Sequence, residues 1–214
     1  MSSVYATFPC GNITLEGALS LPQGQGPFPC VVVCHPHPLY GGDMMNNVVT
    51  AICRALPRHS VAAFRFNFRG VGSSSGTFGG GIAEQADIKA ALDFVLSLPD
   101  IDAKRIGLAG YSFGAAVALP AALNDERVSC LALVSPPLSD SAWEQLKGYP
   151  KPKVLIVGDA DPFLRLENVQ QHIKDISDPE QYRVVTGVDH FWLGREAELA
   201  EMVTRFLMAN FTQD

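Results

Sequence analysis

Residues 105–116 have the sequence RIGLAGYSFGAA, and this stretch decides the fold. Its early part, 106–109, is a short apolar run that is typical of a parallel strand buried on both faces. The residues that follow are small and apolar, and they predict a helix over 113–123 that packs closely against a sheet. A Gly-x-Ser-x-Gly pattern centred on Ser112 lies between the two elements. This order of strand, glycine pattern and helix predicts a sharp corner with the serine at its tip.

A serine at such a corner takes a strained backbone conformation, which raises its hydroxyl above the edge of the sheet. The flanking Gly110 and Gly114 lack the Cβ atoms that would collide where strand and helix approach each other. The first amide groups of the helix then point at whatever binds above the serine, where the helix dipole favours negative charge. Ser112 is therefore predicted to be a nucleophile, and the backbone N–H of Phe113 is predicted to be one oxyanion-hole donor.

Composition and net charge indicate which broad class of protein the chain belongs to. The 214 residues are 47% hydrophobic and 18% charged, which favours a globular chain and predicts a single domain over 1–214. The formal net charge is -6 without any basic run, so we expect no nucleic-acid partner. No apolar run approaches the roughly 18 residues that cross a bilayer, and residues 1–5 do not resemble a signal peptide. Five cysteines without paired spacing lie mostly in apolar runs and indicate reduced thiols in a cytoplasmic protein.

Predicted strands alternate with predicted helices along the chain. The runs that predict buried strands are 28–35, 61–68, 106–109, 130–135, 154–158 and 182–185. The helical patterns are 46–56, 82–98, 113–123, 166–176 and 195–209. An antiparallel hairpin is expected from alternation at 4–8 and 12–21. This order predicts a three-layer α/β fold, with a mostly parallel central sheet, helices on both faces, and ligands bound at the carboxyl ends of the strands.

A serine nucleophile needs a base, and the base needs an acid that fixes its orientation. His190 follows the predicted strand 182–185 in a glycine-containing loop, so we expect it to be the base. Asp161 follows the preceding strand and is expected to be the acid, whereas Asp159 in the same loop is expected to shape the turn. The order along the chain, Ser112 before the acid and the acid before the base, is one known arrangement of a catalytic triad.

The loop HPHPLYGGD, residues 35–43, is predicted to supply the second oxyanion donor. Its two prolines have no N–H, which leaves the amide of His37, with Leu39 or Tyr40 as the next alternatives. The two histidines of this loop, together with Asp43, also suggest a metal site. No further glutamate or histidine occurs at a matching spacing, so we expect neither a metal nor any other cofactor.

These segments together resemble the α/β-hydrolase superfamily, and within it the small lidless serine hydrolases near the dienelactone-hydrolase-like proteins. The segments that carry the resemblance are 34–46, 66–74, 110–114, 158–161 and 187–191. The resemblance implies the same three residues as nucleophile, acid and base, and it also favours His37 as an oxyanion donor. Dienelactone hydrolases use cysteine where this chain has Ser112, so their substrate is not carried over. Only residues 136–153 stand where larger hydrolases insert a cap domain, so we expect no cap.

The predicted function is two-step acyl transfer by a carboxylesterase or thioesterase that acts on a small-molecule ester or thioester. The residues expected to line an open, apolar site are Leu39, Tyr40, Met44, Phe163, Phe191 and Trp192. An apolar rim favours short or medium acyl or aryl esters. Three alternatives share the same fold: a small serine peptidase, a cofactor-free perhydrolase and a ligand-binding protein without catalysis.

Overall fold

The structure, a computed structural model, describes residues 3–164, 166–174 and 182–211. Within these residues, eight strands form one continuous sheet. They are β1 (Val4–Cys10), β2 (Ile13–Ser20), β3 (Phe28–Cys34), β4 (Ala62–Phe66), β5 (Ile101–Tyr111), β6 (Val128–Val134), β7 (Lys153–Gly158) and β8 (Tyr182–Val185). Their order across the sheet is β1-β2-β4-β3-β5-β6-β7-β8. All pairs from β4 to β8 are parallel and the pairs that involve β1 or β2 are antiparallel, which confirms the predicted sheet and its hairpin.

Helices cover both faces of this sheet. The α-helices are α1 (Asn47–Ala55), α2 (Glu84–Leu96), α3 (Phe113–Leu123), α4 (Asp140–Gly148), α5 (Leu166–Ile173) and α6 (Glu196–Phe211). Alternate residues of β3 pack into different layers: Val31 and Val33 meet the apolar sides of α1 and α6, whereas Cys30 and Val32 lie in the layer built by α2 to α5. All seven residues of β3 are buried, as expected for a central parallel strand. The three-layer α/β fold is thus confirmed.

The main difference from expectation is the length of β5, which begins at Ile101 rather than at 106. Ile101 pairs with Phe28 of β3, whose N–H donates to the Asp100 carbonyl at 2.7 Å. Three of the next four residues are charged, none of the four is buried, and Arg105 donates to the Asp102 carboxylate at 2.6 Å. The apolar pattern of this strand therefore marks only the buried end that leads to the corner.

Residues 135–152, between β6 and β7, contain one helix, α4, and no inserted domain. This confirms that the fold has no cap at this place, and the helix inserts Trp143 and Leu146 into the core. The predicted helix 166–176 corresponds to α5, and its last two predicted residues lie outside the described part of the chain. Within the described ranges, no helix combines the length and apolarity needed to cross a membrane. All five cysteines are free thiols, and four of them are buried.

Candidate active site

The corner after β5 has the strained geometry expected from the sequence. Ser112 has φ 53° and ψ −120°, a left-handed conformation that residues with a Cβ rarely adopt. A Cβ on Gly110 would lie 2.5 Å from the Gly114 carbonyl oxygen, and a Cβ on Gly114 would lie 2.5 Å from the Cys34 carbonyl oxygen. Only glycine permits this close approach of β5, α3 and β3. The corner is held from below by the Ser112 N–H, which donates to the Val134 carbonyl at 2.8 Å.

The three side chains that the sequence singled out come together above this corner. His190 Nε2 lies 2.9 Å from Ser112 Oγ, and His190 Nδ1 lies 2.7 Å from Asp161 Oδ2. The Asp161 side chain is fully buried, and its other oxygen accepts the N–H groups of Phe163 at 2.9 Å and Leu164 at 3.2 Å. The carboxylate therefore accepts the proton of Nδ1, which leaves the lone pair of Nε2 facing the serine hydroxyl. This arrangement lets an imidazole take a proton from a serine.

Two loops carry the predicted acid and the predicted base, and they are tied to each other. The Ala160 N–H donates to the Val188 carbonyl at 3.0 Å, and the Asp159 carboxylate accepts the Gly187 N–H at 2.7 Å. Asp159 thus shapes the turn, as expected from the sequence, and does not contact the imidazole. A Cβ on Gly158, at the end of β7, would lie 2.0 Å from the Val188 carbonyl oxygen. The loops after β7 and β8 therefore pack at a distance that only glycine allows.

Two hydrogen bonds hold the loop of His190, and the sequence analysis anticipated neither of them. The Tyr111 hydroxyl donates to the His190 carbonyl oxygen at 2.8 Å, and the bond is buried. Burial, followed by the negative charges of Asp161 and Asp189, raises the pKa of Tyr111, so this hydroxyl remains a donor. Tyr111 precedes the nucleophile directly. That position is the one signal that the sequence offered for its role.

The second of these contacts corrects one prediction about the substrate-lining residues. Trp192 does not line the site: its side chain is fully buried in the layer of α1 and α6, and its indole N–H donates to Ser135 Oγ at 3.1 Å. Trp192 has φ 58° and Ser135 has φ 44°. Three of the four non-glycine residues with positive φ in the described chain are thus Ser112 and this hydrogen-bonded pair. Backbone strain of this kind is concentrated at functional sites.

The loop after β3 carries the backbone amides that were predicted as candidates for the second oxyanion donor. Leu39 and Tyr40, the alternatives to His37, already donate their N–H groups, to His37 Nδ1 at 3.2 Å and to the His37 carbonyl at 3.1 Å. In the described part of the chain, neither the His37 N–H nor the Phe113 N–H donates to another protein group. Of the loop amides considered, His37 is thus the one that is free to meet an oxyanion.

His35 fixes the base of this loop. Its Nδ1 donates to the Pro36 carbonyl at 2.7 Å, and its Nε2 accepts the Phe68 N–H at 3.0 Å. Burial lowers the pKa of His35 to about 4, so the ring is neutral near pH 7. Both ring nitrogens are therefore used within the protein. Across the described residues, no three His, Cys, Asp or Glu side chains are grouped as a metal would require.

The predicted substrate-lining residues fall into two classes. Four of them, Leu39, Tyr40, Phe163 and Phe191, are exposed by between 50% and 87%. Met44 was also predicted to line the open site, but it is only 4% exposed and so does not belong to this exposed rim. Its backbone N–H donates to the Asn67 side chain at 2.7 Å, which anchors the loop from below.

Aromatic rings form two separate groups near the nucleophile. The His37 ring lies 4.7 Å from that of Tyr40, 4.9 Å from that of Phe113 and 5.1 Å from that of Phe78. The second group surrounds the imidazole of His190, where Phe163 lies 4.8 Å and Phe191 lies 5.8 Å away between ring centroids. One group thus accompanies the predicted oxyanion donors, and the other accompanies the predicted base.

Known proteins resemble this chain in sequence and in structure. A family model described as X-Pro dipeptidyl-peptidase (S15 family) matches residues 11–206, which is most of the chain. The chain belongs to the S15 family. Among curated sequences, this S15-family protein is 30% identical over 216 residues to an uncharacterized protein of Rickettsia prowazekii, across 97% of this chain and 89% of that one.

Solved structures indicate which kind of α/β hydrolase this S15-family chain resembles. An α/β serine hydrolase homologue from Coxiella burnetii is 35% identical, with a TM-score of 0.85 and coverage of 96% of this chain and 97% of that one. An α/β serine hydrolase without a lid from Xanthomonas campestris is 30% identical, with a TM-score of 0.81 and coverage of 100% and 97%. The protein is therefore a serine hydrolase of the lidless α/β-hydrolase type.

Proposed function

We propose that this protein is a carboxylesterase or thioesterase that hydrolyses small acyl or aryl esters through an acyl-enzyme on Ser112. The observation that carries the proposal is the unbroken chain of contacts from Ser112 Oγ through His190 to Asp161, at 2.9 Å and 2.7 Å. Ser112 also has a strained backbone, with φ 53° and ψ −120°, and strain of this kind is concentrated at functional sites.

In the proposed mechanism, Ser112 Oγ attacks the carbonyl carbon while His190 Nε2 takes the hydroxyl proton. The oxyanion that forms accepts hydrogen bonds from the N–H groups of Phe113 and His37, and each such donor lowers the barrier by about 3 kcal/mol. His190 then gives its proton to the leaving oxygen or sulfur, and the carbon–leaving-atom bond breaks. Water enters, loses a proton to His190, and releases the acid from the serine by the same route. The buried Asp161 carboxylate stabilises the imidazolium in both halves.

An ester is the preferred substrate because the mouth of the site is open and apolar. The segment between β6 and β7 holds only α4, so no inserted domain is available there to clamp a peptide chain. The exposed rim residues offer apolar contact to a small acyl or alcohol group. The family description, X-Pro dipeptidyl-peptidase, makes an amide bond after proline the second candidate, since the same three groups cleave amides.

The first test is labelling with a fluorophosphonate, followed by mass mapping and hydrolysis of p-nitrophenyl esters of increasing acyl length. We expect stoichiometric labelling at Ser112 and a loss of kcat/KM of at least about 10⁴-fold in Ser112→Ala and His190→Ala. Ser73→Ala, at an exposed serine of a different loop, is the control and should keep full activity. Folded wild-type protein that neither labels nor turns over any ester would overturn the proposal.

The same preparation separates the remaining candidates. Faster turnover of an Ala-Pro p-nitroanilide than of the p-nitrophenyl esters would favour the peptidase. Faster acyl transfer to hydrogen peroxide than to water would favour the perhydrolase.

A further inference from the structure

Phe163 and Phe191 flank the imidazole of His190 from two different loops. Phe163 follows Asp161 by two residues, and Phe191 follows His190 directly. The planes of their rings are inclined at 68° and 88° to the imidazole and at 86° to each other, with 6.2 Å between the two phenyl centroids. The two phenyl rings therefore form an open right-angled corner beside the base.

The rings are exposed, but the backbone that carries them is fixed. Phe163 is 64% exposed and Phe191 is 50% exposed. The Phe163 N–H donates to the Asp161 carboxylate and the Phe191 N–H donates to the Asp189 carboxylate, both at 2.9 Å. The Phe191 carbonyl also accepts a hydrogen bond from the Asn47 side chain at 3.2 Å. Large apolar side chains on a fixed backbone form a contact surface that loses little freedom when a ligand binds.

The chemistry of the proposed reaction determines which part of a substrate meets this corner. His190 Nε2 must come within about 3 Å of the leaving atom in order to give it a proton. The group attached to that atom therefore extends along the imidazole, where Phe163 and Phe191 lie in ring contact. The carbonyl oxygen lies instead at the amides of Phe113 and His37, whose rings belong to the other aromatic group.

We propose that Phe163 and Phe191 form a leaving-group subsite that selects esters and thioesters whose departing phenol, thiophenol or other leaving group is a flat aromatic ring. Such a ring stacks on one phenyl ring of the corner and meets the second with its edge, and these are the two arrangements that aromatic pairs prefer. Each ring contact of this kind corresponds to about a five- to tenfold preference over an aliphatic group of similar acidity. This inference rests on the proposed esterase function and assigns a substrate class to one side of its site.

The test compares two acetate esters, phenyl acetate and a fluoroalkyl acetate whose alcohol has similar acidity, so that the chemical step is matched. The measured quantity is the ratio of their kcat/KM values. We expect Phe163→Ala and Phe191→Ala each to lower the aryl-to-alkyl ratio about five- to tenfold, because kcat/KM falls much more for phenyl acetate than for the fluoroalkyl ester. Phe163→Tyr keeps a ring and should keep the ratio. Leu193→Ala, at a 74% exposed residue of the loop that also carries Phe191, is the control and should leave kcat/KM for both esters unchanged.

The outcomes separate this inference from the function on which it rests. Equal losses for both esters would mean that the rings act through His190 alone, and that result overturns the subsite. An unchanged ratio in both alanine variants overturns it as well, with the esterase function intact. Folded wild-type protein that cleaves neither ester, and that also fails to label with the fluorophosphonate or to cleave any p-nitrophenyl ester, would overturn the proposed function and the subsite with it.

Discussion

Replacing Gly158 with alanine should separate the acid from the base. The added Cβ would lie 2.0 Å from the Val188 carbonyl oxygen, whereas ordinary van der Waals contact begins near 3.4 Å. The neighbouring atom is backbone, so the loop after β8 must move by more than 1 Å, which also lengthens the 3.0 Å hydrogen bond from Ala160. Val188 precedes His190 by two residues, and Ala160 directly precedes Asp161. A misplacement of about 1 Å in a catalytic group costs about 10²-fold in rate, and overpacking costs about 1–3 kcal/mol in stability.

The assay measures kcat for a p-nitrophenyl ester, the rate of fluorophosphonate labelling and the melting temperature. Both rates should fall about 10²-fold, and the melting temperature should fall by several degrees. Gly148→Ala is the matched control, because a Cβ at this last residue of α4 meets no heavy atom within 4 Å. It should keep wild-type rates. A Gly158→Ala protein with wild-type kcat and melting temperature would refute the argument.

Three further perturbations test the supports of the site. Tyr111→Phe removes the donor to the His190 carbonyl and should lower kcat about tenfold at nearly constant KM. It should also lower the free energy of unfolding by about 1 kcal/mol, measured by urea unfolding. An unchanged kcat in steady-state kinetics would contradict this. Trp192→Phe removes the donor to Ser135 and should slow fluorophosphonate labelling, whereas Trp143→Phe, in the other core layer, should lower only the melting temperature; equal labelling rates would contradict this. His35 has a folded-state pKa of about 4, below its unfolded value of about 6.5. Its contribution to the free energy of unfolding should therefore be fully present above pH 6.5 and fall by about 3 kcal/mol in total as the pH is lowered through 4. Urea midpoints across this range should show a smaller change in His35→Gln, and an unchanged dependence would contradict the assignment.

The fold was predictable because its signals are periodic or local. The apolar runs that become β3 and β7 are uninterrupted, and the glycine pattern around Ser112 has one structural solution when it follows a strand. The start of β5 was missed because Ile101 pairs with Phe28 but the register shifts before Ile106, and residues 102–105 between them include three charged side chains. A strand segment of that kind leaves no apolar pattern in the sequence.

For the site, the sequence predicted which strand ends lie together. The parallel sheet brings the ends of β5, β7 and β8 to one edge, so Ser112, Asp161 and His190 can be expected to meet there. The direction of a side chain within a loop has no such rule. Trp192 turns inward because its backbone has φ 58°, a conformation that nothing in the neighbouring residues predicts. The same holds for the Tyr111 hydroxyl, whose acceptor is a main-chain carbonyl 79 positions further along the chain.

The proposed participants in the chemistry are distributed over the ends of four strands. The oxyanion loop follows β3, the nucleophile follows β5, the acid and Phe163 follow β7, and the base and Phe191 follow β8. A lineage with this sheet can therefore vary the exposed side chains of one loop at a time, because loops tolerate such changes while the sheet that carries them stays the same. Changing the residues after Asp161 would alter which alcohol departs while bond cleavage at Ser112 persists. Such an arrangement lets natural variation explore new substrates in small steps, each of which keeps a working catalyst.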